Sequence, residues 1–89
     1  MKVNLETAEE ITLVMEIPYS KCTDKLTNAV ERIMKPDGSG VAMMTGMRDF
    51  SLTLKNTKRN QTTLKDRTEK LKELMKENKI RPKFFMYGG

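Results

Sequence analysis

Histidine and tryptophan do not occur in this 89-residue chain, and cysteine occurs once, as Cys22. Without histidine there is no imidazole to act as general base, metal ligand or partner of a serine or cysteine nucleophile. One cysteine permits no internal disulfide, which suits a reducing cytoplasm. No glycine-rich loop has the spacing that cradles a phosphate. No apolar run approaches the roughly 18 residues that span a membrane, and the first residues alternate instead of forming the apolar centre of a signal peptide. These absences argue against an enzyme, a metal site and a membrane protein. They leave a cytoplasmic chain that forms one domain, 1–89, with a modest core.

Of the residues present, 37% are hydrophobic and 33% are charged, the balance of a globular chain. The net charge of +5 is unevenly placed. Residues 1–47 carry five basic and seven acidic side chains, for −2, whereas residues 48–89 carry twelve and five, for +7. A basic half of this kind meets nucleic acid or an acidic protein partner, or is simply a solvated face. Lys55, Lys58 and Arg59 form the candidate patch, in a polar stretch read as a loop over 55–62. The five aromatics (Tyr19, Phe50, Phe84, Phe85, Tyr87) are not interleaved with that patch, which counts against direct nucleic-acid binding there.

Met1, Val3, Leu5 and Thr7 alternate with polar residues, as do Ile11, Leu13, Met15 and Ile17, and a short polar link joins the two runs. This predicts a β-hairpin closed by Pro18. Cys22, Leu26, Ala29, Val30, Ile33 and Met34 then mark one helical stripe over about 20–35, with Ser20 as its N-cap and Pro36-Asp37-Gly38-Ser39-Gly40 as its stop. Cys22 falls on the buried stripe, so it reads as core rather than nucleophile. Val41–Met47 and Phe50–Leu54 predict two short strands around a turn near Gly46–Asp49. Met43, Met44 and Met47 are more methionine than a small core needs, and methionine suits an adaptable contact surface. Thr63 and Asp66 have the form of a capping box opening a charged helix over about 63–79, with Asp66 and Lys70 paired at i, i+4. After Pro82, Lys83–Tyr87 is an apolar, aromatic strand, followed by Gly88-Gly89.

The predicted order is β-β-α-β-β-α-β, an α+β chain for which two small folds compete. A β-grasp has an N-terminal hairpin, a helix crossing the sheet and a last strand parallel to the first. A ferredoxin-like β-α-β-β-α-β sandwich would take one strand from 1–17 and leave the other as an extra. The tight first hairpin favours the β-grasp, and the long second helix favours the alternative.

In M-K-V-N-L-E-T, the short turn, I-T-L-V-M-E-I-P and the four-turn helix, the chain resembles the opening of ubiquitin and its relatives. The final strand with Gly88-Gly89 is similar to the ends of ubiquitin-like modifiers and sulfur carriers. The resemblance covers residues 1–35 and 81–89; the 63–79 helix is longer than that family's turn there. It implies a substrate rather than a catalyst. A separate activating enzyme, which binds the ATP and magnesium, would adenylate the Gly89 carboxylate, with Gly88 as the slim residue that lets it enter. A thioester or thiocarboxylate would follow, leading to target lysines or a sulfur acceptor, with a deconjugating protease as a further partner. Met43, Met44, Met47, Phe84 and Met86 would form the partner-binding surface. The other function class is a small basic binding protein with no covalent chemistry, directed at nucleic acid or at a phage or host protein that it inhibits.

Overall fold

The computed structural model describes residues 8–42 and 45–88. It contains a four-stranded antiparallel sheet and two α-helices, in the order β1 (Glu10–Pro18), α1 (Asp24–Met34), β2 (Gly38–Ala42), β3 (Met47–Lys55), α2 (Lys58–Glu77) and β4 (Lys83–Gly88). The strands lie in the order β2-β3-β1-β4. Every pairing is antiparallel, and in this order each helix connects two strands that have a third between them. Helix α1 thereby crosses over β3 and α2 crosses over β1.

Alternation in β1 creates the two faces. Ile11, Leu13, Met15 and Ile17 are buried, while Thr12, Val14 and Glu16 between them are half-buried. The buried set packs with Phe50 and Leu52 of β3, with Leu26, Val30 and Met34 of α1, and with Leu64, Leu71 and Met75 of α2. Both helices therefore cover one face of the sheet, and no described residue covers the other. At least three strands with a helix-covered face are the usual condition for independent stability, and this sheet meets it.

Pairing of β1 is where the structure departs from the β-grasp expectation. That fold needs 11–17 as the outer partner of 1–7. Instead β1 is an interior strand, with β3 on one side and β4 antiparallel on the other. Both edges of β1 are occupied by described strands, and residues 1–7, the other half of the expected hairpin, lie outside the described residues. Helix α2, 20 residues long, buries Leu64, Leu71 and Met75 in the core beneath this sheet.

Local chemistry also moved the helix boundaries. After Pro18, residues Tyr19–Lys21 form a 3₁₀ turn held by Cys22 N–H to the Tyr19 carbonyl at 3.0 Å. Helix α1 therefore starts not at Ser20 but after Thr23, whose hydroxyl accepts from the Leu26 N–H at 3.1 Å. It ends at Lys35, in a left-handed conformation (φ 51°) immediately before Pro36. Stretch 38–40, read as a stop, instead enters β2, and the β2–β3 turn uses Gly46 at φ +65°.

Helix α2 begins six residues earlier than the capping-box pattern implied. Thr57 is the N-cap, accepting from the Asn60 N–H at 3.1 Å, whereas the Thr63 hydroxyl donates to the Arg59 carbonyl at 3.0 Å inside the helix. The polar run 58–63 has no apolar side chain to mark a period, so the helix was visible only from Leu64 onward. Thr57→Ala should therefore cost about 1 kcal/mol and lower the melting temperature by about 4–8 °C. Thr63→Ala should stay within about 0.5 kcal/mol of neutral, and thermal melts of the two variants decide which threonine caps.

Candidate functional site

Strand β4 positions the most unusual surface of the molecule. Its register on β1 sets Phe84 opposite Met15 and Met86 opposite Leu13, so both point toward the helices and pack against the core. Lys83, Phe85 and Tyr87 point the other way, onto the helix-free face. Phe85 is 47% exposed and Tyr87 46% exposed. Both stand beside Val14 and Glu16, and the four side chains line an open depression of about 370 Å³. Successive same-face residues on a strand lie about 7 Å apart. The two rings thus form a row along β4 that begins at Lys83.

A separate group of cations gathers at the end of α2, on the Phe84 side of β4. Asn78 N–H bonds the Leu74 and Met75 carbonyls, Lys79 N–H bonds the Lys76 carbonyl, and Ile80 N–H bonds the Met75 carbonyl at 2.8 Å. This Schellman closure holds Lys79 at φ 57° and buries Ile80 over Met75. It turns the chain sharply and brings Lys79 and Arg81 beside Lys72 and Lys76. Together with Ile80 and Pro82 these four cations line an open groove of about 550 Å³ with no carboxylate in its wall. Lys72 is engaged with Glu69 at 3.9 Å and stands 5.9 Å over the Phe84 ring. Lys76, Lys79, Arg81 and Lys83 make no ion pair with any described residue.

Acidic side chains limit the positive surface on the open face. Glu16 lies between Lys83 and Asp49 in the cross-strand row, so carboxylates occupy the middle strands at that end of the sheet. Toward the other end, the Thr12 and Thr53 hydroxyls are hydrogen-bonded across the strands at 2.9 Å. The attractive region for an anion therefore follows β4 and the α2 end, not the centre of the sheet.

The residues singled out from the sequence are scattered over this structure. Lys55 ends β3, and Lys58 and Arg59 occupy the exposed first turn of α2 rather than a loop. That turn contains no acidic residue. Met47 is half-buried at the start of β3. Phe84 and Met86 are half-buried and packed against the core, while the phase of β4 turns their neighbours Phe85 and Tyr87 outward. Gly88 is paired opposite Ile11 as the last residue of β4. Met43, Met44 and Gly89 lie outside the described residues. The exposed pair and the 72–83 cation cluster were missed: F-F-M-Y is apolar throughout, so nothing in it shows which alternate residues the helices cover.

Cys22 offers little chemistry. Burial raises its thiol pKa, and the Arg48 guanidinium lowers it by less. Its sulfur donates to the Pro18 carbonyl at 3.6 Å. Among the described residues no group of three His, Cys, Asp or Glu is placed to hold a metal ion, and no helix is long and apolar enough to cross a membrane. No protein-family model, no curated protein and no solved structure matches the chain.

Proposed function

We propose that this chain binds single-stranded nucleic acid along β4 and performs no covalent chemistry of its own. The observation that carries the reading is the row of Lys83, Phe85 and Tyr87 on the helix-free face, with the basic groove of Lys72, Lys76, Lys79 and Arg81 at the α2 end, on the Phe84 side of the same strand. Single strands are held without sequence preference by this combination, aromatic faces for the bases and a basic track for the phosphates. The spacing of about 7 Å between Phe85 and Tyr87 is about twice the 3.4 Å rise per nucleotide of a duplex strand. Two bases on those rings are therefore unstacked from each other, as an extended single strand allows and a duplex does not. Glu16 and Asp49 keep the phosphates to the β4 side.

The element order β-α-β-β-α-β, with β1 and β3 central, supports a ferredoxin-like fold, a frame that leaves one sheet face free. Conjugation through Gly89 draws less support. The pairing of Gly88 opposite Ile11 keeps the penultimate residue within the sheet, and an activating enzyme would have to unzip it.

Titration of a fluorescent oligonucleotide at several salt concentrations tests the reading. Binding should weaken steeply with salt, and a single-stranded probe should be preferred to the same sequence as a duplex. Replacing Lys76, Lys79 and Arg81 by glutamine should reduce the slope of log K against log salt by about 2, at about 0.7 for each phosphate no longer neutralised. No binding at low salt, or an unchanged slope in the triple variant, defeats it.

A further inference from the structure

The outer edge of β4 is paired with no described residue, since β1 takes only its inner edge. Edges of this kind are normally blunted by charge, proline, bulges or brevity. The opposite edge of the sheet has such protection. Strand β2 is only Gly38–Ala42, with two glycines, and beyond its end the Asp37 carboxylate accepts the Thr53 N–H at 2.9 Å. In β4 the only charge is Lys83, at its first position, and residues 84–88 are uncharged and apolar or aromatic on both faces. Such an edge is a template for another strand.

We infer that the β4 edge pairs with the β4 edge of a second copy of this chain, antiparallel about a two-fold axis at Met86, giving a continuous eight-stranded sheet. Charge selects this arrangement. The chain is basic, and its strongest cations cluster at the Lys83 end of β4. A parallel pairing would set the two clusters side by side. The antiparallel pairing separates Lys83 from the partner copy's equivalent by about 20 Å along the strands, more than twice the screening length of about 8 Å at physiological salt. It also sets Phe85 of one copy opposite Tyr87 of the other on the open face, twice, by the symmetry. Aromatic cross-strand pairs of this kind stabilise antiparallel ladders. Main-chain bonds of the edge lie in the plane of the sheet, so the face stays open and the aromatic row is doubled. The pairing forms whatever that face binds.

Sedimentation equilibrium of the full chain without nucleic acid, from micromolar to millimolar concentration, should show reversible monomer–dimer exchange. Over the same range, amide exchange at Phe84–Gly88 should slow as concentration rises. Phe85→Glu, at a half-exposed site outside the core, should weaken dimerisation at least tenfold while the circular dichroism spectrum is kept. A monomer at every concentration overturns the proposal. So does a dimer that leaves the β4 amides exchanging freely, which would put the interface elsewhere. Protection of those amides independent of concentration also overturns it, since a segment of the same chain would then hold the edge.

Discussion

Replacing Phe85 and Tyr87 together by alanine should weaken single-strand binding by roughly thirtyfold or more, with little change in melting temperature. Each aromatic platform contributes about 1–3 kcal/mol per stacked base, and about 1.4 kcal/mol corresponds to a factor of ten. Because both rings are about half exposed, their removal opens no cavity. The neighbouring positions provide the control. Phe84→Ala removes a ring packed against the core and facing Lys72, so it should lower stability while leaving the rings on the open face in place. If the double variant binds as tightly as the parent, the sheet face is not the platform. If Phe84→Ala alone abolishes binding in a chain that is still folded, the contact surface lies on the helix side.

That contrast between adjacent residues also shows where reading the sequence reached its limit. The strand at 83–87 was visible because proline precedes an uninterrupted apolar run, and β1 was visible because its alternation is strict. The α1 stripe was equally clear, since Leu26, Val30 and Met34 recur at helical spacing between charged residues. Sheet order could not be read in the same way. The alternation of β1 is the same whether it stands at an edge or in the interior, so the β3–β1–β4 order could not be read from it. Phase was hidden for a related reason: in K-F-F-M-Y both faces are apolar, and only the register against Met15 and Leu13 turns Phe85 and Tyr87 outward. The cation cluster was hidden because Lys72, Lys76, Lys79 and Arg81 look like ordinary solvated helix residues until the Schellman turn folds Arg81 back beside Lys76. The start of α2 was lost to a polar first turn, where the cap at Thr57 rather than any apolar period defines the boundary.

Phe50→Ala should be the most destabilising single substitution, at about 3–5 kcal/mol. Phe50 is fully buried on β3, in contact with a core built from both helices and the central strands, and no other phenylalanine is fully enclosed. The Arg48 guanidinium lies 4.9 Å from its ring centre, so truncation also removes a cation–π partner from a side chain that donates to the Thr27 hydroxyl at 3.4 Å. A chain of this length is expected to be stable by about 4–13 kcal/mol, so the loss takes a large share of the total, and the variant should begin to unfold at much lower urea. The slope of free energy against urea should hold if the native state remains compact. The consequence for binding follows from topology. Phe50 lies on β3, one strand removed from β4, and faces the helices, whereas the proposed platform faces away from them. At concentrations and temperatures where Phe50→Ala is still folded, its affinity for a single strand should match the parent's within a few fold. Loss of binding by a folded Phe50→Ala would mean that the aromatic row depends on the packing beneath β3, and that stability and recognition are coupled through the sheet rather than carried by its two faces separately.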